Sequence, residues 1–228
     1  MSEQRVAGQG GRLSAEPIRR RGETVLPGRM LPPTSPKGST LHVALLRGIN
    51  VGGKNKLPMK DLAALFREAG CEDVRTYIQS GNVLFRAGST PADAIPSLIS
   101  ASIEERFGYR IPVTTRTAGD LRATVEANPF AAAEADKLLV LFLADAPRPE
   151  QVDALDPDRS PGDEFAVVGR EVFLHCPNGF ARTKLTNSYF DSALSTTSTG
   201  RNWRTVGKLL ELATAAADAA HGEPRDAV

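Results

Sequence analysis

The stretch Leu41-His42-Val43-Ala44-Leu45-Leu46-Arg47-Gly48-Ile49-Asn50-Val51-Gly52-Gly53-Lys54-Asn55-Lys56-Leu57-Pro58 decides how the chain is read. An apolar run of strand length, Leu41 to Leu46, enters a glycine-rich loop of basic and amide side chains. Pro58 suits the first turn of a helix, where its fixed φ fits and its missing N–H costs nothing. Gly48, Gly53 and Lys54 stand at the spacing of a phosphate-binding P-loop after a strand, but Asn55 occupies the place of the magnesium-reaching Ser or Thr. The proline also starts the helix about four residues too late for its amides to meet a phosphate bound at the lysine. Two readings stay open: a tight turn with solvated lysines, or a loop that holds an anion through backbone N–H groups and Lys54 or Lys56.

Outward from this stretch, helical spacing of Leu62, Leu65, Phe66 and Ala69 predicts a helix over 58–69, stopped by Gly70 in a left-handed cap. Strands are expected over 73–78 and 82–87, joined at Gln79-Ser80-Gly81-Asn82 with glycine where a hairpin needs positive φ. A helix over 91–107, a strand over 111–117 and a short helix over 118–127 follow. The order β-α-β-β-α-β is the ferredoxin-like plan, in which the third strand lies between the first two and antiparallel to both. Topology alone then makes the loop 47–57 and the turn 79–82 neighbours, with Arg47, Asn50, Lys54, Asn55, Lys56, Gln79, Ser80 and Asn82 on one rim.

Beyond Asn128-Pro129-Phe130 a buried strand is expected over 137–144, a short helix over 148–155, a hairpin over 163–175 turning at Gly169-Arg170, and helices over 187–194 and 203–218. Asn202 caps the last helix, and Trp203, Val206, Leu210 and Ala213 mark its buried face. This half reads β-α-β-β-α-α, a partial echo of the first. The expectation is an α+β protein with four parts: a disordered extension over 1–40, a ferredoxin-like βαββαβ unit over 41–130, a second, smaller α+β lobe over 131–217, and a flexible tail over 218–228.

Composition narrows the function classes. The 228 residues are 41% hydrophobic and 24% charged with a formal net charge of +1, so no global field draws the chain to nucleic acid or membrane. Residues 1–40 carry seven of the 28 Lys and Arg but three of the 27 Asp and Glu, leaving the remainder slightly acidic. No apolar run reaches the length of a membrane span, and no apolar region follows Arg19-Arg20-Arg21 as a twin-arginine signal requires. Cys71 and Cys176 form no disulfide framework or zinc spacing and read as buried thiols of a cytoplasmic protein. His42 and His175 fall in strands and read as structural.

Several stretches together resemble the bacterial family known as domain of unknown function 1697: residues 44–55, residues 73–83, Asn128-Pro129-Phe130, Arg182-Thr183-Lys184-Leu185-Thr186-Asn187, and residues 199–206. The resemblance covers roughly 41–213. It implies a compact α+β bacterial protein and carries no activity, substrate, cofactor or catalytic residue with it. The long extension and Gly207 inside the last helix depart from the family pattern; the glycine weakens that helix by about 1 kcal/mol.

The sequence contains no G-x-S-x-G, H-E-x-x-H or C-x-x-C, and no metal or cofactor is called for. What recurs is donor chemistry in loops. Arg182, Lys184, Arg201 and Asn202 repeat in the second half what the 47–57 loop offers in the first, and residues 47–57 contain no acid. Such groups bind phosphate or carboxylate, and they also cap helices and satisfy loop backbone. The functional reading is a binding module for an anionic, phosphate-bearing small molecule or a nucleic-acid segment, held in a basic cleft between the halves. The alternatives are an enzyme acting on a phosphorylated small molecule and an interaction module whose loops are purely structural. Nothing in the sequence sets an oligomeric state.

Overall fold

A computed structural model describes residues 40–221. Residues 1–39 of the expected extension over 1–40, and the last seven residues of the tail, lie outside the described residues. Strand β1, Leu41–Leu46, is buried on both faces, which is why its run is continuously apolar. Ala44 and Leu46 point into one cluster with Leu62, Phe66, Phe85 and Ile99, while Val43 and Leu45 point into another with Leu121, Phe142, Val206 and Leu209. Helix α1, Met59–Glu68, starts one residue later than expected: Pro58 is its N-cap, and Gly70 beyond its end takes a φ of 81°.

The first half continues with β2 (Cys71–Tyr77), β3 (Asn82–Ala87), α2 (Ile95–Phe107), β4 (Val113–Thr117) and α3 (Ala118–Glu126). The sheet order is β2-β3-β1-β4, every neighbouring pair antiparallel. Strands β1 and β2 are therefore parallel and separated by β3, with α1 as the crossover that parallel strands require. Helix α3 opens with a capping box: Asp120 N–H donates to Thr117 Oγ1 at 3.0 Å, and Thr117 N–H donates to Asp120 Oδ2 at 2.8 Å.

The second half departs from its expected β-α-β-β-α-α order. It runs β5 (Leu138–Leu143), α4 (Pro149–Asp153), β6 (Glu164–Val168), β7 (Glu171–His175), α5 (Asn187–Leu194), β8 (Ser198–Asn202) and α6 (Trp203–His221). The additional strand β8 is Ser-Thr-Gly-Arg-Asn, which has no apolar pattern to announce it. It pairs with β5 from Leu143↔Ser198 to Leu139↔Asn202. The order β6-β7-β5-β8 is that of the first sheet, element for element, so the partial echo is a complete one.

Three cores follow. The first sheet packs α1 and α2 on one face, and the second packs α4 and α5 on its own. The middle core is shared: Val43, Leu45 and Leu84 from the first sheet meet Val140, Phe142 and Phe173 from the second, with α3 and α6 between. On α6 the buried face is Val206, Leu209 and Ala213, while Trp203 and Leu210 are half-buried. Cys71 and Cys176 are buried free thiols whose pKa burial pushes up to about 11, so both are poor nucleophiles. His42 stacks on Phe85 at 5.4 Å between ring centroids.

Gly207 is exposed within α6, and an added Cβ there would meet nothing within 4 Å. Gly207→Ala should raise the unfolding free energy by about 1 kcal/mol in urea denaturation. His42 gives a pH dependence. Burial lowers its pKa from the ordinary 6.5, with Asp120 opposing. The unfolded chain then takes up this proton at a higher pH than the folded chain does. Stability from this site is complete above pH 6.5 and is lost as the pH falls from there through the lower folded pKa. His42→Gln should flatten that decline when stability is measured from about pH 7.5 to 5.

Candidate functional site

The loop after β1 closes upon itself. Gly48, Asn50, Gly52, Gly53 and Asn55 all have positive φ, and glycine and asparagine are the residues that tolerate it best. Lys54 N–H donates to Val51 O at 3.1 Å, Asn50 N–H to Asn55 O at 3.2 Å, and Asn55 Nδ2 to Gly48 O at 3.0 Å. With α1 beginning after Pro58, this is not the geometry of a P-loop. Asn50 pins the loop to its neighbour: its Nδ2 donates to Leu57 O at 2.9 Å and to Gln79 O at 3.0 Å, and its Oδ1 accepts from Leu57 N–H at 2.9 Å. Loop and β2–β3 turn are thus adjacent, as the strand order requires.

That turn holds Ile78 at a φ of 50° and Gly81 at 74°. A Cβ on Gly81 would stand 2.7 Å from Leu46 Cβ, so the turn lies directly on the end of β1. Asn82 is fully buried; its Nδ2 donates to Tyr77 O at 3.1 Å and Ser80 Oγ at 3.0 Å.

Into this junction comes Arg201 from β8, 7% exposed. Its Nε donates to Asn82 Oδ1 at 2.6 Å. One terminal nitrogen donates to Thr199 Oγ1 at 2.9 Å and Gly200 O at 2.7 Å. The other reaches Leu46 O at 2.9 Å, Gly81 O at 3.0 Å and Ser80 O at 3.2 Å. Burial pushes the guanidinium down to about 10, so it remains charged at neutral pH.

The mirror arrangement is made by Arg116, fourth residue of β4 as Arg201 is fourth of β8. Its terminal nitrogens donate to Leu143 O at 2.7 Å, the last residue of β5, to Arg170 O at 3.1 Å in the β6–β7 turn, and to Thr115 O at 2.9 Å. Its Nε donates to Glu171 Oε1 at 2.8 Å, the first residue of β7, where the first half has Asn82 at the start of β3. Burial lowers the Arg116 pKa while Glu171 opposes the shift. Each half therefore inserts an arginine into the other, but only one arginine finds a carboxylate. Among the described residues Arg201 has none.

Beside Arg201 opens a pocket of about 510 Å³. Its walls come from both halves: Leu46 at the end of β1, Arg47, Ile49 and Val51 after it, Ile78 and Ser80 from the turn, Leu139 from β5, Asn187 at the start of α5, Thr199 to Asn202 of β8, and Thr205 of α6. Asn202 caps α6, accepting from Thr205 N–H at 2.8 Å through Oδ1. Arg47 forms an ion pair with Asp191, which also accepts from Ser198 Oγ at 2.6 Å.

Of the residues singled out from sequence, Arg47, Ser80, Arg201 and Asn202 line this pocket. Asn50, Asn55 and Asn82 are turned to scaffolding by the bonds above. Lys54, Lys56 and Gln79 are exposed on the loop and turn, and Arg182 and Lys184 are exposed on the segment before α5, outside the lining. The lining adds Val51, Ile78, Asn187, Thr199 and Thr205. Thr199 and Thr205 belong to the polar stretch already noted, whereas Val51 and Ile78 sit in readable loops but carry no polar group to draw notice.

Over residues 40–173 the sequence matches the model of a family described as protein of unknown function, DUF1697. The resemblance expected over residues 182–187 and 199–206 lies beyond that match. No curated protein matches the chain. Among solved structures, a conserved bacterial protein from Streptococcus pneumoniae has a TM-score of 0.62 and 21% identity, over 77% of this chain and 98% of that one, a likeness of fold. No helix of the described residues is long and apolar enough to cross a membrane.

Gly81→Ala should cost about 3 kcal/mol or more, because a left-handed non-glycine residue and an overpacked contact act together. Chemical denaturation measures this; a cost under about 1 kcal/mol would mean that the turn can lift off β1.

Proposed function

This chain belongs to the DUF1697 family, proteins of unknown function, and on that premise we propose that it is a binding module for a small anionic, phosphate-bearing molecule, held in the pocket between its halves. The observation that carries the reading is Arg201, a buried cation whose partners are carbonyl, hydroxyl and amide oxygens. A desolvated charge without a counter-ion is costly even when fully hydrogen-bonded. An anion in the adjoining pocket would offset that cost, as Glu171 does for Arg116. No Asp or Glu lines the pocket among the described residues. The N-terminus of α6 adds its partial positive charge, and Ser80, Asn187, Asn202 and Thr205 supply polar groups. Lys54 and Lys56, exposed on the neighbouring loop, would steer an anion toward it. The ferredoxin-like reading of the first unit, with a smaller lobe against it, is supported by the sheet order and the shared core. A cytoplasmic place is supported by two free buried thiols.

Asn202→Asp tests the reading cleanly. Aspartate is as good an N-cap as asparagine and favours the helix dipole, so the fold should be held or slightly stabilised. The new charge enters the pocket lining and should weaken phosphate-ester binding about tenfold. The measurement is a thermal-shift titration with inorganic phosphate, ribose 5-phosphate and a short RNA, since a native-state ligand raises Tm. The proposal fails if neither phosphate raises Tm, or if both do so equally in the variant. Stabilisation by RNA alone, with a steep salt dependence, would assign the surface to nucleic acid instead.

A further inference from the structure

Three large apolar side chains stand exposed among the described residues: Val51 at 63%, Ile78 at 49% and Leu98 at 43%. Two of the three line the same pocket, arriving from different loops. Scattered exposed apolar residues need no explanation, but convergence on one concavity does.

Ile78 is also strained. A β-branched side chain in the left-handed region is a genuine outlier, because its branched Cβ crowds the backbone there. Among the described residues the other non-glycine positions with positive φ are Asn50, Asn55, Asp73 and Ser195, all small and polar. Ile78 gains little burial in return for its strain. Strain of this kind is held where surrounding structure imposes it, and such positions cluster at ligand sites. Here the surroundings are known: Arg201 and Asn82 grip the turn just after Ile78, and Asn50 grips Gln79 O. Val51 is similarly fixed, at one end of the Val51↔Lys54 bridge that closes the loop tip.

The pocket is consequently two-faced. Val51, Ile78, Ile49, Leu46 and Leu139 form an apolar side, and Arg201, Ser80, Asn187, Asn202 and Thr205 supply the charge and hydrogen-bonding groups. Its volume of about 510 Å³ lies in the range of sites for drug-sized molecules and far exceeds what inorganic phosphate needs. We propose that the ligand is an amphipathic organic phosphate, with its anionic head toward Arg201 and a planar apolar group, of the kind in an aryl phosphate or a nucleoside monophosphate, resting on Val51 and Ile78. This rests on the anion-binding reading above and specifies the ligand class.

The test compares four probes on the full chain by isothermal titration: inorganic phosphate, ribose 5-phosphate, phenyl phosphate and adenosine monophosphate. The two probes with planar groups should bind about tenfold tighter than ribose 5-phosphate, the effect of removing roughly 60 Å² of apolar surface from water. Ile78→Asn should abolish that preference, so that within the variant phenyl phosphate and adenosine monophosphate bind no tighter than ribose 5-phosphate. The same variant should raise the Tm of the unliganded protein by about 2–4 °C, since asparagine tolerates the left-handed conformation. A residue with a purely structural role would not lose selectivity while gaining stability. Equal affinities for all four probes would overturn the apolar contact and leave the anion reading standing; no binding by any of them would overturn both. A dimer of the native chain that Ile78→Asn dissolves would give the apolar lip to a second copy and also overturn the proposal.

Discussion

Two buried guanidinium groups hold the halves of this molecule in register. The apolar cluster between the sheets supplies most of the driving force for their association, but apolar burial is non-directional and tolerates sliding. Arg116 and Arg201 do not tolerate it. Each leaves the end of an edge strand in its own half and spends its donors on the last strand residue and the hairpin turn of the other. Withdrawing Arg201 would strip partners from Leu46 O, Ser80 O, Gly81 O and Asn82 Oδ1 at once. Buried polar networks of this kind carry high stakes, because a half-satisfied one is worse than an apolar core. The polar character of β8 follows from this duty: Ser198, Thr199 and Arg201 are buried with their partners built around them.

The two latches match in topology and differ in charge. Glu171 neutralises Arg116, which also lies against the Phe142 ring at 5.4 Å. Asn82 offers Arg201 only a neutral amide oxygen, and its nitrogen, a donor, is spent on the turn. One end of the joint is thus electrically closed and the other carries net positive charge. The pocket lies at the second end, beside the glycine loop and the start of α6. An internal repeat gives a built-in control: the same architecture exists with a counter-ion and without one, and the difference falls where the cavity is.

Legibility from the sequence followed burial chemistry. β1 and β5 could be read because both faces are apolar, and α1 because its stripe has helical spacing. The adjacency of the 47–57 loop and the 79–82 turn could be read because strand order dictates it. Strand β8 could not, since neither alternation nor apolar content marks Ser-Thr-Gly-Arg-Asn. For the same reason donors that bind and donors that build were indistinguishable. Asn50, Asn82 and Arg201 have the chemistry of ligand contacts and use it on the protein's own carbonyls. Only depth separates those uses, and depth is a property of the folded chain. Val51 and Ile78 are silent in the sequence for the opposite reason: their meaning lies in being apolar where apolar groups gain nothing from the fold.

Position couples the pocket to the joint. Arg201 is both the pin between halves and the source of charge at the cavity wall, so any anion that improves its electrostatic environment must also favour the assembled junction. The converse holds as well. Loosening the β2–β3 turn would lower the effective affinity of the pocket, because the turn presents Ile78 and Ser80 while its carbonyls receive Arg201. Removing Arg201 itself therefore cannot separate binding from folding, and substitutions that enter the lining from exposed positions can. Asn202 and Ile78 are such positions. The first carries a cap that aspartate preserves, and the second carries strain that asparagine relieves, so in each case a loss of binding would be accompanied by an intact or firmer fold.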